Sequence, residues 1–159
     1  MTGVNIRKAA PGDVEQLLAF EQEIIHTERP FDPTVKPDPI NYYDLKAMLV
    51  ARNVEVLVAE IGNRIIASGY ARIEKSQPFL KHTHHAYLGF MYVAREYRGQ
   101  GINKEIIGTL AKWALSQNIH ELRLEVYYDN VPAIKAYEKF GFKKHMIEMR
   151  FNLDDQGNK

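Results

Sequence analysis

Hydrophobic and polar positions alternate or recur along most of the chain, and their period predicts the elements. Val4 to Ala9 alternates as a short strand. Asp13 reads as a helix N-cap, with Gln16 completing a capping box. From there Val14, Leu17, Leu18, Phe20, Glu21, Ile24 and Ile25 form a mostly apolar helical stripe. A second helix is expected from Asn41 to Arg52 and a β-branched strand from Val54 to Glu60. Gly62-Asn63 is a turn signal, and Arg64 to Glu74 returns as the hairpin partner. A further strand runs through HHAYLGFMYV to Val93. Gly101 to Gln117 carries Ile102, Ile106, Ile107, Leu110, Ala111 and Ala114 on one side of a helix. A strand from Glu121 to Tyr128, a helix from Asn130 to Phe140 capped by Gly141, and a strand from Lys144 to Leu153 complete the pattern.

The order is β-α-α-β-β-β-α-β-α-β. The hairpin strands come first, and the later β-α-β crossover forces two parallel neighbours. The fold class is therefore α/β of the α+β kind, a mixed central sheet with helices on both faces, neither doubly wound nor a barrel. Residues 1–153 are expected to form a single domain, with 154–159 as a disordered tail. Thr27 to Ile40, with four prolines, interrupts the pattern as a stiff loop suited to shaping a binding site.

Composition narrows the function. The 159 residues suit one domain, and 45% hydrophobic with 26% charged residues is ordinary for a globular chain. Lys+Arg is 21 and Asp+Glu is 20, which argues against a nucleic-acid partner. There is no cysteine, so a disulfide scaffold, a thiolate metal site and a thiol nucleophile are all excluded. No apolar run is long enough for a membrane span and no secretory signal is evident, so a cytoplasmic protein without a membrane partner is expected.

The candidate chemistry begins where the strand ending at Val93 meets the next helix. Arg98, Gly99, Gln100 and Gly101 sit between them. Glycines allow a tight turn, and the helix N-terminus offers unpaired N–H groups and partial positive charge, which together suit a phosphate. The turn is neither a dinucleotide fingerprint nor a Walker A loop. Downstream, Asn130, Ala133, Tyr137 and Gly141-Phe142 stand at fixed offsets.

Arg98-Gly99-Gln100-Gly101-Ile102-Asn103 after Val93, followed by Asn130-x-x-Ala133-x-x-x-Tyr137-x-x-x-Gly141-Phe142, resembles the GNAT superfamily of N-acetyltransferases. The resemblance covers nearly the whole chain. It implies that acetyl-CoA is the co-substrate and that an acetyl group passes to a primary amine by direct attack in a ternary complex, with no metal. The Arg98 to Lys104 turn would hold the coenzyme pyrophosphate. Asn103 stands where the family usually has Gly or Ala. Met91, Tyr92 and Val93 resemble the strand that pairs with the pantetheine arm, with the Val93 N–H facing the thioester carbonyl. Asn130 would bond the pantetheine region, Ala133 would also be a coenzyme-binding residue, and Lys139 or Lys143 would meet the adenosine phosphate. Tyr137 matches the tyrosine near the coenzyme sulfur and is the candidate general acid. Members are often dimers, so a homodimer through the last strand is implied.

Other residues are open to more than one reading. His84 and His85 are candidate bases, since an ordinary imidazole accepts a proton near neutrality, and Glu125 and Glu28 are alternatives. His82 and His84 are two apart on a strand, a spacing zinc can use, but no neighbouring Asp, Glu or Cys completes a set. Glu28 and Asp32 would attract an ammonium, Arg29 would hold a carboxylate, and Phe31 with Tyr42 and Tyr43 would form an apolar wall. The acceptor is a small molecule or a protein N-terminus or lysine. A non-catalytic coenzyme A sensor on the same fold is the alternative function.

Overall fold

The structure is a computed structural model describing residues 3–158. Its elements are β1 (Val4–Lys8), α1 (Val14–Glu28), α2 (Leu45–Val50), β2 (Val54–Ile61), β3 (Arg64–Lys75), β4 (His84–Val93), α3 (Ile102–Ser116), β5 (Leu122–Arg123) and α4 (Val131–Phe140). One mixed sheet has the order β1-β2-β3-β4-β5, antiparallel from β1 to β4 and parallel between β4 and β5. The chain divides into two compact units, one up to Glu125 and one from Val126.

In the first unit, α3 buries Ile102, Ile106, Ile107, Leu110 and Ala114, the stripe read from the sequence. Each large aliphatic so buried contributes about 1.5–3 kcal/mol. A side chain at Gly69 on β3 would strike Ile106 and Met91 at 2.8 Å, so α3 packs on that face. The neighbouring Tyr70 meets Tyr43, just before α2, on the opposite face. On the α1 side, the fully buried Glu21 accepts the backbone N–H groups of Tyr42 (3.1 Å) and Tyr43 (2.9 Å). That carboxylate fixes where the chain enters α2.

Several expectations need correction. Asp13 stands at the N-cap position of α1, but its side chain makes no cap hydrogen bond to that helix. It ends a 3-10 turn over Pro11–Asp13 and accepts from the Ala10 N–H (2.7 Å) and Arg7 (2.8 Å). The second helix starts only at Leu45, because Glu21 takes the backbone N–H groups of Tyr42 and Tyr43, and Asp44 accepts from the Ala47 N–H (3.1 Å). The strand expected over 121–128 pairs only at Leu122 and Arg123.

In the second unit, Asn130 caps α4 through its side chain and Gly141 ends it with φ +129°. Residues 144–152 form no strand, and Met146, Ile147, Met149 and Phe151 are exposed. Alternation alone does not make a strand without a hydrogen-bonded neighbour. The dimer expected through that strand therefore has no strand to use among the described residues. Leu153–Asn158 form a 3-10 helix, and Lys159 lies outside the described residues. Among the described residues, no helix is long and apolar enough to cross a membrane.

Candidate coenzyme and acceptor site

The site is organised by a bulge in β4. Tyr92 pairs with Ser68 and Gly89 with Tyr70, so Phe90 and Met91 both oppose Gly69. Phe90 takes φ +55°, a conformation that a bulky residue adopts only when its surroundings hold it. The buried Ser68 hydroxyl does so by donating to the Phe90 carbonyl (2.9 Å). Gly89 is required because a Cβ there would lie 2.5 Å from the Tyr70 ring. A mid-strand glycine was the available sequence signal for this bulge, whereas Ser68 left none.

Beyond Tyr87 no strand among the described residues pairs with the far edge of β4. The Ala94 N–H donates to Ile66 (2.8 Å) on the β3 side, so by alternation the Val93 N–H and C=O face the open edge. Arg98 turns back and donates Nε–H to the Val93 carbonyl (2.9 Å), with its guanidinium 5.9 Å from the Tyr92 ring centre. The Tyr92 hydroxyl in turn donates a short hydrogen bond to Glu23 on α1, and its ring stacks on Phe20 at 4.4 Å. Burial and the Glu23 carboxylate push the Tyr92 phenol up to about 12.

Gly101 caps α3 with φ +83°, and Gly99 has φ +76°. A Cβ at either would meet nothing within 4 Å, so backbone conformation, not crowding by the protein, selects glycine. Gln100 bonds the Glu96 carbonyl (3.3 Å), and Lys104 is exposed one turn along. Asn103, the second residue of α3, has its Oδ1 buried with no hydrogen-bond partner.

On the α1 and α2 side, Tyr43 packs on Phe90 (4.8 Å) and Tyr70 (5.8 Å), and Tyr70 lies 6.4 Å from Tyr87. Arg72 sits 5.6 Å and 5.5 Å from the rings of Tyr70 and Tyr87, and it donates to Glu74 (2.6 Å). A cleft of about 260 Å³ runs past Tyr42, Tyr43, Asp44 and Arg72. Burial pushes the carboxyl of the half-buried Glu28 up, opposed by a hydrogen bond from Tyr42. Burial, with Glu125 nearby, likewise raises the Tyr87 phenol.

The histidines separate as alternation requires. His84 is exposed and bonded to Thr83 (3.0 Å). His85 is buried, with Nδ1 2.8 Å from Ser76 Oγ and Nε2 3.5 Å from Glu74. Burial, helped by Arg123, holds its pKa below the ordinary value. His82 is 2.8 Å from Glu121 and 2.9 Å from Arg123. Carboxylates do therefore approach His82 and His85, brought by the neighbouring strands rather than by sequence. Among the described residues no three such groups gather as a metal site.

The Pro-rich segment is occupied with itself. Arg29 binds Asp38 (2.7 Å) and the Lys36 carbonyl (2.5 Å). Asp32 accepts from the Thr34 N–H (2.9 Å) and hydroxyl (2.5 Å), and Phe31 closes a 3-10 turn. The Tyr42 and Tyr43 wall lies over the sheet, not in this loop.

In the second unit, Tyr137 lies on α4 with its ring edge-to-face with Phe142 (5.9 Å). The Asn130 side-chain oxygen accepts from the Ala133 N–H (3.4 Å), so the helix cap already uses it. Lys139 is exposed on the last turn of α4, and Lys143 is exposed beyond it.

The sequence pattern of the acetyltransferase (GNAT) family matches residues 21–142. Thialysine N-epsilon-acetyltransferase of Bos taurus is 30% identical over 147 residues, covering 89% of this chain and 85% of that protein. N-alpha-acetyltransferase of Saccharolobus solfataricus is 27% identical over 158 residues, 95% of this chain and 87% of the other. Streptothricin acetyltransferase of Escherichia coli is 39% identical over 57 residues, spanning only 36% of this chain and 33% of that protein. A protein from Clostridium acetobutylicum described as a predicted acetyltransferase, solved with acetyl-CoA, shares the fold with TM-score 0.73 at 23% identity over 96% of this chain and 98% of its own. The chain belongs to the acetyltransferase (GNAT) family. Transfer of an acetyl group from acetyl-CoA to an amine is the activity that membership brings.

The residues present fit the coenzyme. An unpaired strand edge suits an amide-bearing arm, a glycine turn opens onto a helix N-terminus, and a buried polar atom at that terminus lacks a partner.

Proposed function

We propose that the amine enters over the α1 and α2 face and attacks directly, in a ternary complex, with the coenzyme along the open edge of β4. The observation that carries this reading is that edge, Leu88 to Val93, ending beside the Gly99–Gly101 turn. Bound acetyl-CoA supplies the activated acetyl carbonyl. The Val93 N–H donates to the carbonyl oxygen as negative charge develops there, a contribution of about 2.7–4 kcal/mol. The N–H groups of Gly101 to Lys104 hold the pyrophosphate.

The amine must lose a proton, since a free alkylammonium has a pKa of about 10.4. We assign this step to Glu28, acting through water. Burial raises its carboxyl, and it lies with Tyr42 and Tyr43, the second of which packs on Phe90. His85 stands eight residues before Val93 on the same strand, about 25 Å away at ~3.3 Å per residue, too far to take that proton. Its role in this reading is structural, through Ser76 and Glu74. Tyr137 returns a proton to the leaving sulfur. The tyrosine wall, with Asp44 beside it in the cleft and Glu28 close to Tyr42 and Tyr43, receives a primary amine from a small molecule or from a protein N-terminus or lysine. The cytoplasm is the expected compartment.

Two measurements test this. Acetyl-CoA at about 100 times its Kd should stabilise the fold by about 2.7 kcal/mol, a rise of roughly 5–11 °C in Tm. A panel of peptide N-termini, lysine-like amines and aminoglycosides should then reveal turnover. Absence of any thermal shift in folded protein would sink the coenzyme site. Binding without turnover on any amine would make the chain a coenzyme A sensor.

A further inference from the structure

Glu21 is fully buried midway along α1, although a carboxylate is costly to take out of water. Donors from one short segment offset that cost. Oε2 accepts the backbone N–H groups of Tyr42 (3.1 Å) and Tyr43 (2.9 Å), and the Asn41 side-chain amide, turned to donate, reaches Oε1 at 2.9 Å. Packing alone asks for an apolar side chain here, such as the buried Leu17 and Ile25 one turn away on either side. Residues 41–44 belong to no helix or strand, so no backbone ladder holds them in place. The carboxylate does so instead.

The residues it holds carry the acceptor wall. Tyr43 packs on Phe90 (4.8 Å) and Tyr70 (5.8 Å), and both Tyr42 and Tyr43 line the cleft with Asp44. The Tyr42 side chain also hydrogen-bonds Glu28. Glu28 follows Glu21 by seven residues, about two helical turns, so both carboxyls stand on one face of α1. From that face one carboxylate grips the Tyr42 backbone while the other meets its side chain.

We propose that Glu21 is a positioning residue for the acceptor. It holds the Tyr42–Tyr43 backbone so that the two rings and Glu28 present one fixed surface to the incoming amine. The inference rests on the acceptor reading given above. Glu21 acts through the 42–43 backbone and meets neither acceptor nor coenzyme, so its effect falls on the amine and leaves the coenzyme untouched.

Two variants separate this from a merely structural role. Glu21→Gln keeps an oxygen that can accept both N–H groups, and Asn41 can turn its own oxygen to the new amide. Glu21→Leu fills similar space and accepts nothing. The probe is the amine of the panel above, a peptide N-terminus, a lysine-like amine or an aminoglycoside, that the unaltered protein acetylates fastest. Glu21→Leu should raise KM for that amine about tenfold or more, while kcat falls less than about threefold and the Kd for acetyl-CoA by calorimetry is unchanged. Glu21→Gln should restore KM to within about twofold of the unaltered protein. Should Glu21→Leu fail to fold, hydrogen exchange on the unaltered protein decides: the Tyr42 and Tyr43 amides should exchange slowly, and more slowly still with the amine present. Unchanged KM in the Leu variant, an equal loss toward amine and acetyl-CoA, no restoration by Gln, or fast exchange at Tyr42 and Tyr43 would overturn the assignment. Turnover of no amine by the unaltered protein would instead overturn the acceptor reading itself, and this role with it.

Discussion

Arg98 donates its Nε–H to the carbonyl of Val93, five residues earlier, at 2.9 Å. The side chain thus reaches back from the glycine turn to the end of β4 and steadies the peptide next to the open edge. Its guanidinium also lies over the Tyr92 ring, whose hydroxyl is bonded to Glu23. One arginine therefore links the turn, the strand end and, through Tyr92, helix α1.

Arg98→Gln should keep the fold but loosen that strand end. We expect kcat/KM to fall about 10- to 100-fold, corresponding to roughly 1.4–2.7 kcal/mol. Steady-state kinetics with varied acetyl-CoA would check it, and wild-type kinetics in the variant would remove Arg98 from the positioning of Val93.

Glu28 predicts a trade of stability for activity. Its folded pKa is raised by burial above the ordinary 4.5. A carboxyl so shifted stabilises the fold below its unfolded pKa, and that contribution is lost as pH rises through the folded value. Near neutral pH the ionised group is a burden, so Glu28→Gln should raise Tm there. The same change should cut kcat about 100-fold and flatten the acid limb of the rate profile. An unaltered pH–rate profile would assign the base elsewhere.

Tyr137→Phe removes the proposed donor to the sulfur without changing ring volume. We expect kcat to fall at least tenfold with little change in acetyl-CoA affinity. Full turnover with the same pH dependence would end that role.

His85 should appear in acid stability and not in catalysis. Its folded pKa lies below the ordinary 6.5, from burial first and Arg123 next. The neutral ring is favoured in the fold, so the contribution is full above pH 6.5 and is lost as pH falls below it. His85→Gln should flatten the decline of Tm between pH 6.5 and 5 and leave kcat near that of the unaltered protein. A large loss of kcat at pH 7.5 would return His85 to the chemistry.

Local pattern made the order of elements from β1 to α4 legible, because period 2 and period 3.6 are written into neighbouring residues. The α3 stripe, the Gly101 start and the Asn130 and Gly141 ends of α4 were all readable in this way. The tight turn at Gly99 and Gly101 was readable too, since glycine spacing announces its positive-φ backbone. Tertiary structure alone decided what depends on residues far apart in sequence. Ser68 supports the Phe90 bulge across 22 positions, Glu21 ties down Tyr43 from another helix, and Glu74 and Glu121 reach the histidines from adjacent strands. The stretch from Lys144 shows the same limit from the other side, for an alternating segment becomes a strand only where a partner edge takes its hydrogen bonds. Burial likewise raises the carboxyl of Glu28, so this residue, one of several candidate bases in the sequence, is preferred only once the fold has half enclosed it.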